Sequence, residues 1–255
     1  MDTWIIILGV VIVIIIFFLI RYYTSGTTSL ASHIYLKNTN TDISSNAITN
    51  PGSILYTFGS WVYINNFASP GSILYSYVAG ASGQAVRPVT FSLLVGGTTV
   101  KIPGGTTDLT IGKQNSPVLT AMVGTPGTIP NIITITNNFP IQKWVYVTVA
   151  VDTIYVDCYI DGKLVISSPL KTQITQSVQN PSITFVSPLI CSPPVVQNPD
   201  IHLTKLTRWD YPLDPQSVYN EYSAGNGLSQ GGDLSIGLTV DSDNGSKNYT
   251  IYSNS

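Results

Sequence analysis

The sequence predicts an all-β antiparallel sandwich preceded by one N-terminal transmembrane helix. Three observations carry this expectation. An uncharged apolar run opens the chain from Trp4 to Ile20. Short segments rich in Val, Ile, Thr, Tyr and Phe then recur between Pro and Gly, as strands do in sandwiches. No long helical pattern follows Tyr23. The expected organisation is a transmembrane helix over 4–20, a short stalk over 21–32 and one β-domain over 33–255.

The run WIIILGVVIVIIIFFLI has 17 residues. At 1.5 Å per residue it reaches roughly 25 Å, the short end of a bilayer core. It is apolar all round rather than striped, which suits lipid better than a protein core. Asp2 stands where a cleavable signal peptide carries positive charge, and the small residues Ser29 and Ala31 lie far past the end of the run, so the anchor is expected to stay uncleaved. Trp4 and Ile5 begin the anchor, and Ile20 and Arg21 end it. Arg21, with Lys37 beyond it, places the large C-terminal part on the cytosolic side by the positive-inside tendency. The lipid bilayer is therefore an expected partner.

Charged residues make up only 9% of the chain, and the formal net charge is −2. Nothing forms a basic stripe, so nucleic acid is not an expected partner. The two cysteines, Cys158 and Cys191, do not amount to a disulfide framework, and whether they pair is left open.

Along the chain, TSGTTSLAS (24–32) is small and polar, as a flexible stalk should be. LYTFGSWVYI (55–64), SILYSYV (72–78), VTFSLLV (89–95), TTVKI (98–102) and NIITIT (131–136) each read as one strand. KWVYVTVAVDTIYVDCYIDGKLVISS (143–168) predicts a three-stranded meander. Val145, Val147, Val149 and Val151 share one face, opposite Trp144, Tyr146 and Thr148. Asp161-Gly162 supplies a two-residue turn in which both residues need positive φ. That turn sets Tyr159 opposite Leu164 and Cys158 opposite Val165. Apolar side chains on both faces predict that the meander lies inside the sandwich. In YPLDPQSVYNEYSAGNG (211–227), Asp214 suits a helix N-cap, Pro215 the first helical position and Gly225 or Gly227 the stop. LSIGLTV (234–240) and NYTIY (248–252) read as closing strands.

FGSWVYI (58–64), NNFPIQKWVYVTVAVDTIYVDCYIDGKLVISS (137–168) and DIHLTKLTRWDYPLDPQSVYNEYSAGNG (200–227), taken together, resemble the concanavalin A-like jelly roll, particularly its laminin-G-like branch. The resemblance implies a jelly-roll fold. It does not imply an activity, because these motifs are structural. The anchor, joined to such a domain and to an Ile/Asn/Thr/Tyr-heavy composition, is similar to membrane-associated minor capsid proteins of large double-stranded DNA viruses. That similarity implies a non-enzymatic structural protein of the virion's internal membrane, with its C-terminal domain facing the shell and other capsid or membrane proteins as partners. Pro188, Pro193, Pro194 and Pro199 in SPLICSPPVVQNPD (187–200) mark a stiff loop able to contact such a partner.

Catalysis is not expected. Glycanases of this fold use paired carboxylates, and the chain holds a single glutamate, Glu221. No nucleophile elbow or Cys/His metal spacing is present. GGTTDLTIGKQ (104–114) has the wrong glycine spacing for a phosphate loop. No cofactor is expected. Calcium has no supporting motif, with Asp200, Asp210 and Asp233 as its only candidates. The alternative function is an outward-facing, lectin-like adhesin binding carbohydrate, with Trp209 and Tyr211 as stacking candidates.

Overall fold

The computed structural model describes residues 4, 9, 11–16, 26–38, 42–67, 71–78, 89–101, 108–111, 113, 116–124, 130–171, 174, 181–185, 200–228, 236–242 and 245–252. Two antiparallel sheets form a jelly-roll-like sandwich. The first has the order β1 (Thr27–Tyr35), β13 (Ile201–Trp209), β2 (Tyr56–Ile64), β9 (Trp144–Val151), β10 (Tyr155–Ile160) and β11 (Lys163–Pro169). The second has the order β12 (Ser182–Thr184), β3 (Gly71–Val78), β4 (Val89–Gly96), β7 (Leu119–Val123) and β8 (Asn131–Thr136). Two hairpins stand apart as separate two-stranded sheets: β5 (Thr98–Lys101) with β6 (Asp108–Ile111), and β14 (Ile236–Ser242) with β15 (Gly245–Tyr252). The last pair therefore does not close the sandwich.

The core follows from alternation. Val145, Val147, Val149 and Val151 point from β9 into the space between the sheets, where Phe91, Leu93 and Val95 of β4 meet them. Phe58 sits at the centre, its ring parallel to that of Phe91 at 5.0 Å and tilted against Tyr75 and Tyr77. The meander turns at Asp161 and Gly162, with φ of 48° and 74°. The Asp161 side chain accepts a hydrogen bond from the Tyr146 backbone at 2.9 Å, which ties the turn to β9. A bulge follows the turn: Tyr159 faces Leu164, but Cys158 faces Ile166 rather than Val165. β11 ends its sheet as an edge strand, with Leu164 and Val165 exposed rather than enclosed. Cys158 is a free, buried thiol that burial pushes up to about 12. Cys191 lies outside the described residues.

The anchor expectation is corrected. Among the described residues, no helix is long and apolar enough to cross a membrane. Within 4–20, residues 4, 9 and 11–16 are described, all of them helical. Trp4 is exposed, and Ile5, Ile20 and Arg21 lie outside the described residues. The transmembrane, single-pass and bilayer-partner expectations lose their support. So do the virion-membrane localisation, the membrane-to-shell tether and the resemblance to membrane-associated minor capsid proteins, since each was built on the anchor. The expected stalk also differs, because from Thr27 onward it pairs with β13 as an edge strand.

Candidate functional site

The outer face of the first sheet is half covered. Helix α1 (Pro215–Ser223) packs across it, started by Asp214, whose carboxylate accepts from the backbone N–H groups of Gln216 and Ser217. The hydrogen bond from the Ser217 hydroxyl above all, then those from the backbone, hold the Asp214 carboxyl below its ordinary value. Leu213 and Val218 close a second apolar cluster with Trp61, Tyr146, Ala150, Tyr159 and Trp209, and Trp144 and Tyr222 pack at its margin.

Past the helix, Gly225 and Gly227 take positive φ of 73° and 72° and turn the chain back over the sheet. Lys205, itself at positive φ in a bulge of β13, donates from Nζ to the Ala224 carbonyl at 3.1 Å. At Gly227 the positive φ is what favours glycine, and a Cβ there would also press on the mobile end of the Lys205 side chain, 2.7 Å from its Cε. Between wall and sheet lies a cleft of about 680 Å³, lined by Trp61, Lys143, Trp144 and the segment from Ala224 to Leu228. Trp61 is wedged between Tyr146 and Tyr222, while Trp144 is half-buried and leans on Tyr63. Lys143 is exposed, 3.8 Å from Asp161. The cleft thus offers aromatic surface, peptide groups, one amide and one ammonium, and among the described residues its lining carries no carboxylate.

On the rest of the outer face, Tyr35, Tyr63 and His202 are each partly exposed. His33 Nε2 and His202 Nδ1 lie 3.2 Å apart, one ring donating to the other. Tyr35 stacks on His202 at 4.3 Å and donates to Asp200 at 3.2 Å, and Asn65 donates to the other Asp200 oxygen at 2.8 Å. The Asn65 hydrogen bond above all, then that of Tyr35, holds the Asp200 carboxyl below its ordinary value. Burial, then His33, holds the His202 imidazole below its own, against an upward pull from Asp200. The unfolded chain takes up the proton near pH 6.5, and the folded chain resists it. This contribution to stability is therefore complete above about pH 6.5 and is lost as the pH falls below that value. The thermal midpoint should drop between about pH 7.5 and 5.5, and His202→Gln should reduce that drop by no more than a few degrees for so exposed a group. If the variant titrates as the parent does, His202 has no such role.

Of the residues singled out from sequence, Trp209 is buried in the second cluster, and Tyr211 is exposed but outside the cleft. Pro188, Pro193, Pro194, Pro199 and Asp233 lie outside the described residues. Asp200 and Asp210 flank the two ends of the nine-residue strand β13, roughly 30 Å apart, and do not converge. Among the described residues, no three of His, Cys, Asp or Glu are grouped to hold a metal ion.

No family model matches the chain, and no curated protein matches it. Solved structures with partial likeness include a Trypanosoma rangeli sialidase, at 12% identity over 66% of this chain and 22% of that one, with a TM-score of 0.40. The binding domain of botulinum neurotoxin DC, in complex with SialylT, matches at 18% identity over 69% and 37%, with a TM-score of 0.45. The chain spans about a fifth of the sialidase and about a third of the toxin domain. Overlaps of this extent carry no argument about what the chain binds.

Proposed function

We propose that this chain is a carbohydrate-binding module that holds a sugar in the cleft between Trp144 and the Ala224–Leu228 segment. The observation that supports the reading is the composition of the cleft. A half-buried indole lies beside a second tryptophan, facing a wall of peptide groups with Asn226 and Lys143 at hand. Sugars present apolar C–H patches and a rim of hydroxyls. An aromatic body next to neutral hydrogen-bonding groups matches both. The reading is of binding without turnover, since a glycanase needs two carboxylates at the sugar and the described lining has none.

The test is a glycan array probed with the full chain and with Trp144→Ala. Loss of the ring should weaken capture of any bound glycan roughly tenfold, with the far-ultraviolet circular dichroism unchanged. An array without a bound glycan, or a variant that binds as the parent does, overturns the reading.

A further inference from the structure

Trp144 is the first of four ring residues in direct register across four neighbouring strands. Trp144 of β9 faces Tyr63 of β2, Tyr63 faces His202 of β13, and His202 faces Tyr35 of β1. Directly paired residues share a face, and these four lie on the outer face, beside the part that α1 covers. Each is partly exposed. The contacts run without a break: 5.3 Å from Trp144 to Tyr63, 6.3 Å from Tyr63 to His202, and 4.3 Å from His202 to Tyr35.

We infer that the ligand is an extended, uncharged oligosaccharide of at least three sugar units, running from the cleft along this row to Asp200. The inference rests on the carbohydrate reading of the cleft and deepens it. Its two ends differ in chemistry. At the cleft end the Trp144 and Tyr63 rings are inclined at 42° and offer ring surface. At the far end the Tyr35 and His202 rings lie face to face within 5°, with the Tyr35 hydroxyl held by Asp200 and one His202 nitrogen by His33, so this end offers a polar cluster rather than open ring surface. Asn65 and the Asp200 carboxylate add an amide and two acceptor oxygens there. Three strand spacings make the row roughly 14 Å long, about the length of three linked sugar rings. Single-stranded nucleic acid also stacks on rows of rings, but it needs a basic groove, and this row ends on an anion.

The experiment is calorimetric titration with cello-, chito- and manno-oligosaccharides of one to six units, using the full chain, Trp144→Ala, Tyr63→Leu and Asp200→Asn. Tyr63→Leu keeps side-chain bulk, and Asp200→Asn keeps shape, so one serves if the other fails to fold. The parent should gain at least tenfold in affinity from one unit to four in the series it prefers. Asp200→Asn should remove threefold or more of that gain, Tyr63→Leu should do the same beyond whatever it costs the single unit through the Trp144 ring it supports, and Trp144→Ala should weaken every length. If affinity does not grow with length, or if both row variants keep the gain, the inference fails and the cleft reading stands. If no sugar binds at any length, the cleft reading fails and takes the inference with it. Preferential binding of an oligonucleotide control also overturns it.

Discussion

Phe58→Ala is expected to lower stability by about 3–5 kcal/mol. The ring is fully buried and touches four other aromatic rings, those of Tyr56, Tyr75, Tyr77 and Phe91. These come from both sheets, so the cavity would open at the seam rather than within one layer. Close-packed rings on every side cannot collapse into it without leaving their rotamers. In a domain of this size the thermal midpoint should fall by roughly 6–20 °C. Phe58→Leu keeps most of the apolar volume and should cost less than half as much. Urea unfolding of both variants measures this. Equal losses would mean that the parallel packing on Phe91, and not the filled volume, holds the seam.

Arg208→Ala should cost about 2–4 kcal/mol. Arg208 is completely buried at the edge of the same core, with its guanidinium 5.5 Å over the Tyr77 ring. Its Nη1 donates to the Thr49 carbonyl at 2.8 Å and its Nη2 to the Asn50 carbonyl at 3.3 Å. The Tyr77 hydroxyl donates to the Pro51 carbonyl alongside. Asn50 is held at positive φ, 43°, and its amide reaches Asp210 at 3.1 Å. Two opposed effects set the size of the loss. Removing the side chain frees two carbonyls and opens a cavity, but it also relieves the cost of burying a cation, a cost visible in the lowered guanidinium pKa, which burial causes first. Arg208→Met separates them, since it refills the space and removes the charge without restoring the hydrogen bonds. The methionine variant should fall between parent and alanine. A methionine variant more stable than the parent would show that charge burial outweighs the tether to residues 49–51.

Local chemistry was legible wherever it acts within a few residues. The Asp161-Gly162 turn, the alternation of Val145, Val147, Val149 and Val151, and the Asp214-Pro215 helix start each follow from φ preferences or periodicity alone. The outward direction of Trp144 and Tyr146 was readable in the same way. What period two cannot tell is which outward residues another element covers. Trp209 and Tyr211 were the stacking candidates, yet α1 buries Trp209, and it is Trp144 beside which the Gly225–Gly227 turn raises a wall. The bulge that puts Cys158 opposite Ile166 shifted a register that the turn by itself predicted one residue away.

By itself, then, the sequence determined the strands, their turn and their inward faces, because each depends on neighbours along the chain. It also led to an anchor that the described structure does not support, since an apolar run states a preference for burial and not what does the burying. Only the tertiary structure decided the site. Trp144, Tyr63, His202 and Tyr35 come from positions as far apart as 35 and 202, and nothing links them until four strands pair in one register. That pairing is set by the packing of the valine and phenylalanine faces between the sheets. A one-residue slip would turn the same four rings into the core.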